Sequence, residues 1–312
     1  MSYDIIGDIH GYAHTLEALL TKLGYRKVAG VYRHPSRKVI FLGDFIDRGP
    51  MQREVVTIAK RMTDANSALS VMGNHEFNAI AYYTWDDSKG DYLRPHSEKN
   101  QKQHHAFLEA YDGTADYDDV INWFRKLPMW LELDGARVVH ACWDRTAIDQ
   151  IQRAYPEAPL LGDDLLARAN TGGTDEFVAI ETLLKGKEVP LPDGFSFPDN
   201  GGTPRHHIRI RWWDRNATNY KEAFMGPESA RTHIPDDEIE GDHLIDYSHH
   251  EAPVFLGHYW LEGKPEPLAP NIACLDYSIA LNGKLVAYRW DGEQTLDSSK
   301  FVSVDCIERT ET

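Results

Sequence analysis

The stretch KVIFLGDFIDRGP, residues 38–50, decides the architecture that we expect of this chain. It begins with a run of branched and aromatic residues, which is typical of a strand over residues 38–44. Asp44 stands where that strand should end, and Asp47 and Arg48 follow within the same loop. A helical pattern over residues 52–66 starts just after Pro50. The stretch therefore predicts a strand, a polar loop and a helix in that order.

The same order occurs on both sides of this stretch. Residues 3–6 predict a short buried strand that runs into Gly7, and the leucines of residues 12–25 recur at helical spacing up to Gly24. Residues 68–74 predict a third strand, and residues 75–85 a third helix. Alternation of this kind is typical of an α/β fold, in which parallel strands lie inside the helices and ligands bind at the carboxyl ends of the strands.

The later part of the chain is less regular. Residues 86–120 are polar and irregular, helix and strand are expected to resume over residues 120–133 and 136–143, and the region of about 144–207 breaks the alternation. That region contains a predicted helix at 175–185 and a turn-rich stretch, before core-like strands are expected again at 208–214 and 254–260. We therefore interpret residues 1–312 as a single domain, with an inserted cap-like region at about 144–207 over the active site. Near the end of the chain, Asn282-Gly283 predicts a hairpin turn.

Composition excludes several classes of protein. The chain has 312 residues, of which 42% are hydrophobic and 26% charged, and this is ordinary for a globular protein. No apolar run is long enough to span a membrane, and no signal peptide pattern precedes the first strand. The three widely spaced cysteines suggest neither a disulfide framework nor a zinc knuckle. A net charge of −16 disfavours long nucleic acid as a partner, and we expect a cytoplasmic location.

Five predicted strands end in side chains that bind metal ions. Carboxylate, amide and imidazole ligands together suit manganese, iron or zinc better than calcium or magnesium. Asp8 and His10 could hold one ion, and Asp44 could bridge it to a second ion about 4 Å away. The second ion would take Asn74, His140 and His258. Two such ions could activate a hydroxide for attack on a phosphoryl group.

Three further residues near these strand ends have roles in phosphoryl chemistry. The planar fork of Arg48 can bind two phosphate oxygens. His75 can protonate the leaving oxygen, and Asp47 can orient that histidine. Each motif alone also has an ordinary interpretation: a loop, a helix-entry turn with a surface ion pair, or a helix N-cap. Their order along the chain, each at a strand end, favours a site.

The motifs GDIHG (7–11), GDFIDRG (43–49) and GNHE (73–76), with two later histidines, resemble those of the calcineurin-like metallophosphoesterases. Because an arginine follows the second aspartate of GDFIDRG, the chain resembles in particular one branch of this family. That branch contains the phosphoprotein phosphatases and the bacterial diadenosine tetraphosphatases. The resemblance implies a four-layered α/β/β/α sandwich and two divalent ions, manganese first, with iron, zinc or nickel as alternatives. It also implies a second phosphate-binding arginine. Arg215, in a Trp-x-Arg context, is the expected residue, and Arg211 or Arg209 is the alternative.

The chain departs from the family pattern near both late histidines. Trp143 stands where glycine is usual, and Tyr259-Trp260 replaces a common threonine. Core packing and a stacking surface for an aromatic group are both open interpretations of these rings. We interpret Cys142 as core filling. The histidine pairs are expected on the surface: His104-His105, His206-His207 and His249-His250.

The resemblance implies a phosphoric ester hydrolase of the metallophosphatase type. The expected substrates are phosphoserine or phosphothreonine in proteins, or dinucleoside polyphosphates. RNA-end or cyclic-nucleotide phosphate is the alternative. A regulatory protein that binds metal without catalysis is the rival from another class, and it predicts the loss of a ligand or of the His75-Asp47 pair.

Overall fold

The structure of the chain is a computed structural model that describes residues 2–198, 204–226, 228–239 and 244–308. Its strands are β1 (Ser2–Ile6), β2 (Arg26–Val28), β3 (Val31–Arg33), β4 (Arg37–Phe41), β5 (Ala68–Ser70), β6 (Trp85–Asp86), β7 (Asp91–Tyr92), β8 (Trp130–Leu133), β9 (Ala136–Val139), β10 (Glu188–Pro190), β11 (Phe197–Pro198), β12 (Pro204–Arg205), β13 (His207–Arg209), β14 (Val254–Leu256), β15 (Ile272–Cys274), β16 (Asp276–Tyr277), β17 (Lys284–Trp290) and β18 (Phe301–Asp305).

Helices alternate with these strands through the first half of the chain and cluster in its middle. They are α1 (Ala13–Lys22), α2 (Gln52–Asp64), α3 (Asn74–Tyr83), α4 (Glu98–Gln103), α5 (His105–Tyr111), α6 (Tyr117–Phe124), α7 (Arg145–Ala154), α8 (Asp163–Ala169), α9 (Asp175–Lys185), α10 (Tyr220–Ala223) and α11 (Glu228–Arg231). Two short 3-10 segments follow at Ile279–Leu281 and Ser298–Lys300.

The larger sheet brings the two ends of the chain together. Its order is β16, β17, β1, β4 and β5, and β18 also pairs with β17. Strands β1, β4 and β5 run parallel, with Ile5 opposite Ile40 and Ile40 opposite Leu69. Strand β17 pairs antiparallel with β1. The carboxyl ends of β1, β4 and β5 therefore share one edge of the sheet, as the alternation predicted.

The smaller sheet has the order β15, β14, β9 and β8. Strands β9, β14 and β15 are parallel, and Phe255 pairs with Val138. Strand β8 joins β9 antiparallel. The ends of β9 and β14 therefore also lie side by side.

Alternate residues of each strand belong to two different cores, and this defines the layers. Ile5, Ile40, Val138 and Phe255 lie in one buried cluster to which both sheets contribute. Their strand neighbours, of which Ile6 is one, lie in a second cluster with the buried faces of the helices. Strands covered on both faces are expected to be continuous apolar runs. The predicted α/β class with two packed sheets inside helical layers is confirmed.

Local predictions hold best where a helix ends or a strand is fully buried. Helix α1 ends before Gly24, whose φ of 95° suits a glycine after a helix. The predicted C-terminal hairpin is β16 and β17, with Tyr277 opposite Lys284. Its loop is longer than Asn282-Gly283, because a 3-10 turn precedes them.

Two regional predictions need correction. Residues 86–120 are not irregular, since α4 and α5 lie there. The strand-like run 208–214 contributes only to β13, which pairs with β10 and joins neither main sheet. Its apolar residues instead pack into the helix-side core, where Trp212 is fully buried.

The described part of the chain contains no helix that is both long and apolar enough to cross a bilayer.

Candidate active site

The five strand ends that carry the predicted ligands meet at one place. Asp8 and His10 follow β1, Asp44 follows β4, and Asn74 starts the helix after β5. The histidines His140 and His258 follow β9 and β14. Two groups of ligand atoms within 4.8 Å of one another occur among the described residues, and Asp44 belongs to both. The first group is His10, Asp44 and His75, and the second is Asp44, His140 and His258.

Hydrogen bonds to backbone carbonyls orient the rings of two of the histidines. His10 donates from Nδ1 to the carbonyl of Ile46 at 2.9 Å, which leaves Nε2 as the free lone pair, 3.7 Å from Asp44 Oδ2. His140 donates from Nδ1 to the carbonyl of Leu42 at 2.7 Å, and its Nε2 lies 3.4 Å from the same carboxylate oxygen. A backbone acceptor on the far nitrogen is the usual way to fix the tautomer of a metal-binding histidine.

Asp8 and Asn74 link the sheets through His258. Asp8 accepts a hydrogen bond through Oδ2 from the backbone N–H of His258 at 3.0 Å. The ring Nδ1 of His258 lies 2.8 Å from Asn74 Oδ1, and that oxygen is also 3.1 Å from His140 Nε2. One amide oxygen thus faces both late histidines.

Burial and the neighbouring charges shift the pKa values of this cluster in opposite directions. Burial and then the charge of His75 lower the pKa of His10 to about 4. Burial would also lower that of His140, but the carboxylates of Asp44 and Asp8 raise it to about 10. Burial raises the pKa of Asp44 less than His140 and His75 lower it, so it lies well below its ordinary value. Asp44 is therefore ionised, and its carboxylate favours a positive charge beside it.

The donor set fits divalent metal ions. Among the described residues, Asp8 Oδ1, His10 Nε2 and His258 Nε2 are buried and have no hydrogen-bond partner. Burial of a polar atom without a partner costs free energy, and a cation coordinated by these atoms would remove that cost. Burial and Arg209 lower the pKa of His258 well below its ordinary value, so its nitrogen is a neutral ligand.

Glu76 fixes the loop that carries Asp44. Its carboxylate accepts from the backbone N–H groups of Asp44 and Phe45, each at 2.8 Å, and of Gly73 at 3.0 Å. The side chain is fully buried. Glu76 was not among the predicted site residues, although a glutamate three residues after a helix N-cap is part of the capping-box pattern.

The histidine predicted as proton donor is bonded to its predicted aspartate. His75 Nδ1 lies 2.5 Å from Asp47 Oδ2, and His75 Nε2 is 3.9 Å from Asp44 Oδ2. Burial lowers the pKa of His75, but Asp44 and Asp47 together raise it above its ordinary value. The Nε2 atom of His75 is therefore the ring nitrogen that faces the two groups of ligand residues.

Arg48 is exposed at the mouth of the site and lies against an indole. Its guanidinium carbon is 5.1 Å from the ring centre of Trp260, which is a cation–π distance. The Trp260 ring is also 6.3 Å from that of His10. The backbone N–H of Trp260 donates to Asp276 Oδ2 at 2.8 Å. Asp276 is a second buried residue for which the sequence offered no signal.

Three arginines are candidates for the second phosphate-binding residue, and they lie in different surroundings. Arg215 is exposed and pairs with Asp246. Arg211 donates its backbone N–H to Ala223 at 2.8 Å. Arg209 is close enough to lower the pKa of His258, and its Nη2 is 3.7 Å from Glu188 Oε1.

The predictions for the flanking aromatic and cysteine residues are mostly confirmed. Trp143 and Cys142 are fully buried, and burial raises the pKa of the Cys142 thiol well above its ordinary value. Tyr259 is also buried, whereas Trp260 is only half-buried. The exposed histidines match the prediction for five of the six paired positions: His105, His206, His207, His249 and His250.

The surface prediction is wrong for His104. This side chain is 4% exposed, and its Nδ1 lies 2.9 Å and 3.1 Å from the two carboxylate oxygens of Asp47. It was missed because its neighbours in sequence are polar and its partner lies 57 residues away. No local pattern marks a contact of that range.

The region predicted as an insertion contacts the loop after β9. The carbonyl of Leu183, in α9, accepts from Ala141 N at 3.0 Å and Cys142 N at 3.3 Å. A side-chain carbon added to Gly186 would lie 2.5 Å from the hydroxyl of Tyr259. Helix α9 and the turn that follows it therefore pack beside both late histidines.

Comparison with known proteins gives a consistent family. Residues 1–266 match the calcineurin-like phosphoesterase family. An asymmetrical bis(5'-nucleosyl)-tetraphosphatase of Oceanobacillus iheyensis is 32% identical over 38% of this chain, which spans 51% of that protein's length. A symmetrical bis(5'-nucleosyl)-tetraphosphatase of Photorhabdus laumondii is 32% identical over 97% of this chain and 99% of its own length.

A solved serine/threonine phosphatase from Saccharomyces cerevisiae superposes with a TM-score of 0.49 at 14% identity, over 100% of this chain and 81% of that one. The match of the family over residues 1–266 and the end-to-end relative agree with the site geometry. The chain belongs to the calcineurin-like phosphoesterases.

Proposed function

We propose that this chain is a phosphoric ester hydrolase that uses two divalent metal ions and cleaves dinucleoside polyphosphates. The observation that carries the proposal is that three buried ligand atoms of this site have no hydrogen-bond partner within the described part of the chain: Asp8 Oδ1, His10 Nε2 and His258 Nε2. They surround a carboxylate, Asp44, that both ligand groups share.

The ligands divide into two sets around Asp44. Asp8, His10 and Asp44 would hold one ion. Asp44, Asn74, His140 and His258 would hold the other. His75 lies within reach of the first group, but we assign it to proton transfer because its Nδ1 is held by Asp47. Manganese is the proposed metal, since mixed oxygen and imidazole ligands suit it.

When bound, the two ions supply Lewis-acid activation of the attacking water and neutralise charge on the phosphoryl group. The chain's own residues do the rest. Arg48 is exposed and free to bind two phosphoryl oxygens through its fork. His75 carries a proton on the nitrogen that faces the site, and donates it to the leaving oxygen as the P–O bond breaks. Asp47 orients the ring and favours its protonated form.

A second arginine next to the late histidines would bind the far side of the phosphoryl group. We propose Arg209 for this role, because its charge acts directly on His258. Arg215, the residue expected from sequence, is engaged with Asp246 at the surface. Arg211 is the alternative, and a comparison of kcat/KM in Arg209→Ala and Arg211→Ala separates the two.

The substrate class rests on the relatives and on the mouth of the site. The relative that this chain matches end to end is named as a symmetrical bis(5'-nucleosyl)-tetraphosphatase. Trp260, half-buried beside Arg48, offers an aromatic face next to the phosphate position.

We also propose that residues 1–312 are one domain in which about 144–207 cap the site, because α9 contacts the loop after His140. All three cysteines are buried thiols, and this favours a cytoplasmic location.

Product analysis tests the function. Purified protein loaded with manganese is incubated with diadenosine tetraphosphate, a phosphoserine peptide and p-nitrophenyl phosphate, and the nucleotides are separated by anion exchange. We expect diadenosine tetraphosphate and water to give two molecules of ADP. ATP with AMP would show asymmetric cleavage, and turnover of the peptide alone would show a protein phosphatase.

Asp44→Asn is the inactive control, because it removes the shared carboxylate while conserving shape. No turnover of any of these substrates by metal-loaded wild-type protein would overturn the proposal in favour of a regulatory metal-binding protein.

A further inference from the structure

Asp47 lies between two imidazoles rather than one. On one side it bonds to His75, and on the other the Nδ1 of His104 lies 2.9 Å from Oδ1 and 3.1 Å from Oδ2. Its backbone N–H donates to Gln52 Oε1 at 2.7 Å. Because a carboxylate only accepts, each of the two histidines must donate from Nδ1. The three side chains form one chain of hydrogen bonds, His104 to Asp47 to His75.

The ring of His104 is held in place by aromatic side chains. Its centre is 4.8 Å from that of Phe107 and 5.5 Å from that of Tyr82. Tyr82 belongs to α3, the helix that also carries His75, and its ring stacks on that of His96 with the ring centres 3.7 Å apart. The pocket thus fixes His104 relative to the same helix that positions His75.

The shift in the pKa of Asp47 agrees with this geometry. Burial would raise the pKa of Asp47, but His104 and then His75 hold it well below its ordinary value. Asp47 therefore stays ionised and can accept from both rings. With His104 absent, one carboxylate oxygen would lose its donor and the side chain could rotate away from His75.

We propose that His104 is a positioning residue that extends the His75-Asp47 pair into a triad and aims the proton of His75 at the leaving oxygen. This role rests on the proposed function. A merely structural histidine would weaken the turnover of all substrates alike. A residue that acts through the proton donor has most effect where the leaving group needs a proton.

The test compares two leaving groups. The p-nitrophenolate anion leaves without protonation, whereas an alkoxide does not, so kcat is measured on p-nitrophenyl phosphate and on an alkyl phosphate. His104→Phe keeps a ring in the aromatic pocket and removes the donor. We expect kcat on the alkyl phosphate to fall about tenfold, with a much smaller fall on p-nitrophenyl phosphate and KM and manganese content unchanged.

Further variants separate positioning from folding. His104→Asn should recover most of the alkyl phosphate activity, because its amide nitrogen can donate near the position of Nδ1. His104→Gln cannot place a donor there and replaces the phenylalanine variant if that one fails to fold. His105→Asn, at the exposed neighbouring position, is the matched control and should leave both rates unchanged. In a His75→Asn background, the His104→Phe change should have no further effect.

Equal losses on both substrates, or no loss on either, would overturn the positioning role while leaving the phosphoesterase intact. Wild-type protein without turnover on any phosphate ester would instead overturn the proposed function, and this role with it.

Discussion

Several residues at the centre of the site adopt a backbone conformation that their side chains disfavour. Among the residues described, ten other than glycine have a positive φ, and six of these are His10, Asp44, Asp47, Arg48, His258 and Trp260. Each costs about 1–3 kcal/mol, so the surrounding hydrogen bonds must hold it. A cluster of strained residues at one sheet edge is expected where ligands converge on a point, and it supports the assignment of this edge as the site.

Arg48 tests the phosphate contact alone. Arg48→Ala removes a bidentate charge-assisted contact of about 2–3 kcal/mol, so kcat/KM should fall about 30–160-fold. The manganese content should stay unchanged, because arginine is not a metal ligand. Steady-state kinetics and metal analysis by mass spectrometry measure both. Loss of metal in this variant would show that the role is misassigned, and Arg26→Ala, at an exposed position of β2, is the matched control.

Gly257 tests the position of Asp8. A side-chain carbon at Gly257 would lie 2.0 Å from Asp8 Oδ1, a carboxylate oxygen that we assign to the metal. Gly257→Ala must therefore displace Asp8, and we expect manganese affinity to fall about 10–100-fold, as for other changes around metal ligands. Titration calorimetry measures the affinity. Gly263→Ala is a poor control because its φ is positive, whereas Gly172→Ala meets open space without that strain. Unchanged affinity in Gly257→Ala would place Asp8 outside the ligand set.

At the scale of elements, the loop after β4 depends on the helix after β5. Glu76 in α3 accepts from three backbone N–H groups of the loops that follow β4 and β5. The parallel pairing of these strands puts their loops side by side. One carboxylate therefore fixes the backbone on which Asp44 is carried.

Glu76→Gln tests this arrangement. The amide keeps one acceptor but turns an NH₂ group toward backbone donors, so the free energy of unfolding should fall by about 1–3 kcal/mol. Urea denaturation measures it. We expect a parallel fall in kcat, because the Asp44 loop is displaced. An unchanged stability would mean that these N–H groups find other partners, and Glu98→Gln, at the start of the exposed helix α4, is the control.

Prediction from sequence succeeded for elements with a local signal and failed where partners are distant. The proposed ligands follow buried strands, so Asp8, Asp44 and His140 could be proposed from strand patterns. Helix α4 has no buried residue and hence no apolar stripe, so its residues gave no helical periodicity. His104 lies just after that helix, and its role depends on Asp47 across the fold.

At the scale of the whole molecule, a buried ion-pair network joins strands β1, β4 and β17 of the larger sheet. Asp4 in β1 is fully buried and accepts from Arg37 Nε at 2.9 Å, Arg289 Nε at 3.1 Å and the Tyr25 hydroxyl at 3.0 Å. Neither the charge pattern nor the short strand predicted at 3–6 indicated this network, because Arg289 is 285 residues away. It fixes the register that brings β1 and β17 together.

Asp4→Asn should destabilise the protein strongly. Removal of the buried carboxylate leaves guanidinium groups without their partner, and we expect a loss of about 3 kcal/mol in the free energy of unfolding. Asp291→Asn breaks a more exposed pair with the same Arg37 and should cost less than about 1 kcal/mol. Thermal and urea denaturation compare the two. Similar losses in both variants would contradict the role of burial.

The central claim is that Asp44 bridges two metal ions. Electron paramagnetic resonance on protein loaded with two equivalents of manganese tests it most directly, since a shared carboxylate brings the ions within about 4 Å. We predict the spectrum of an exchange-coupled manganese pair in wild-type protein and its loss in Asp44→Asn. Spectra of isolated manganese ions in the wild type, or a coupled pair that survives in Asp44→Asn, would contradict the account.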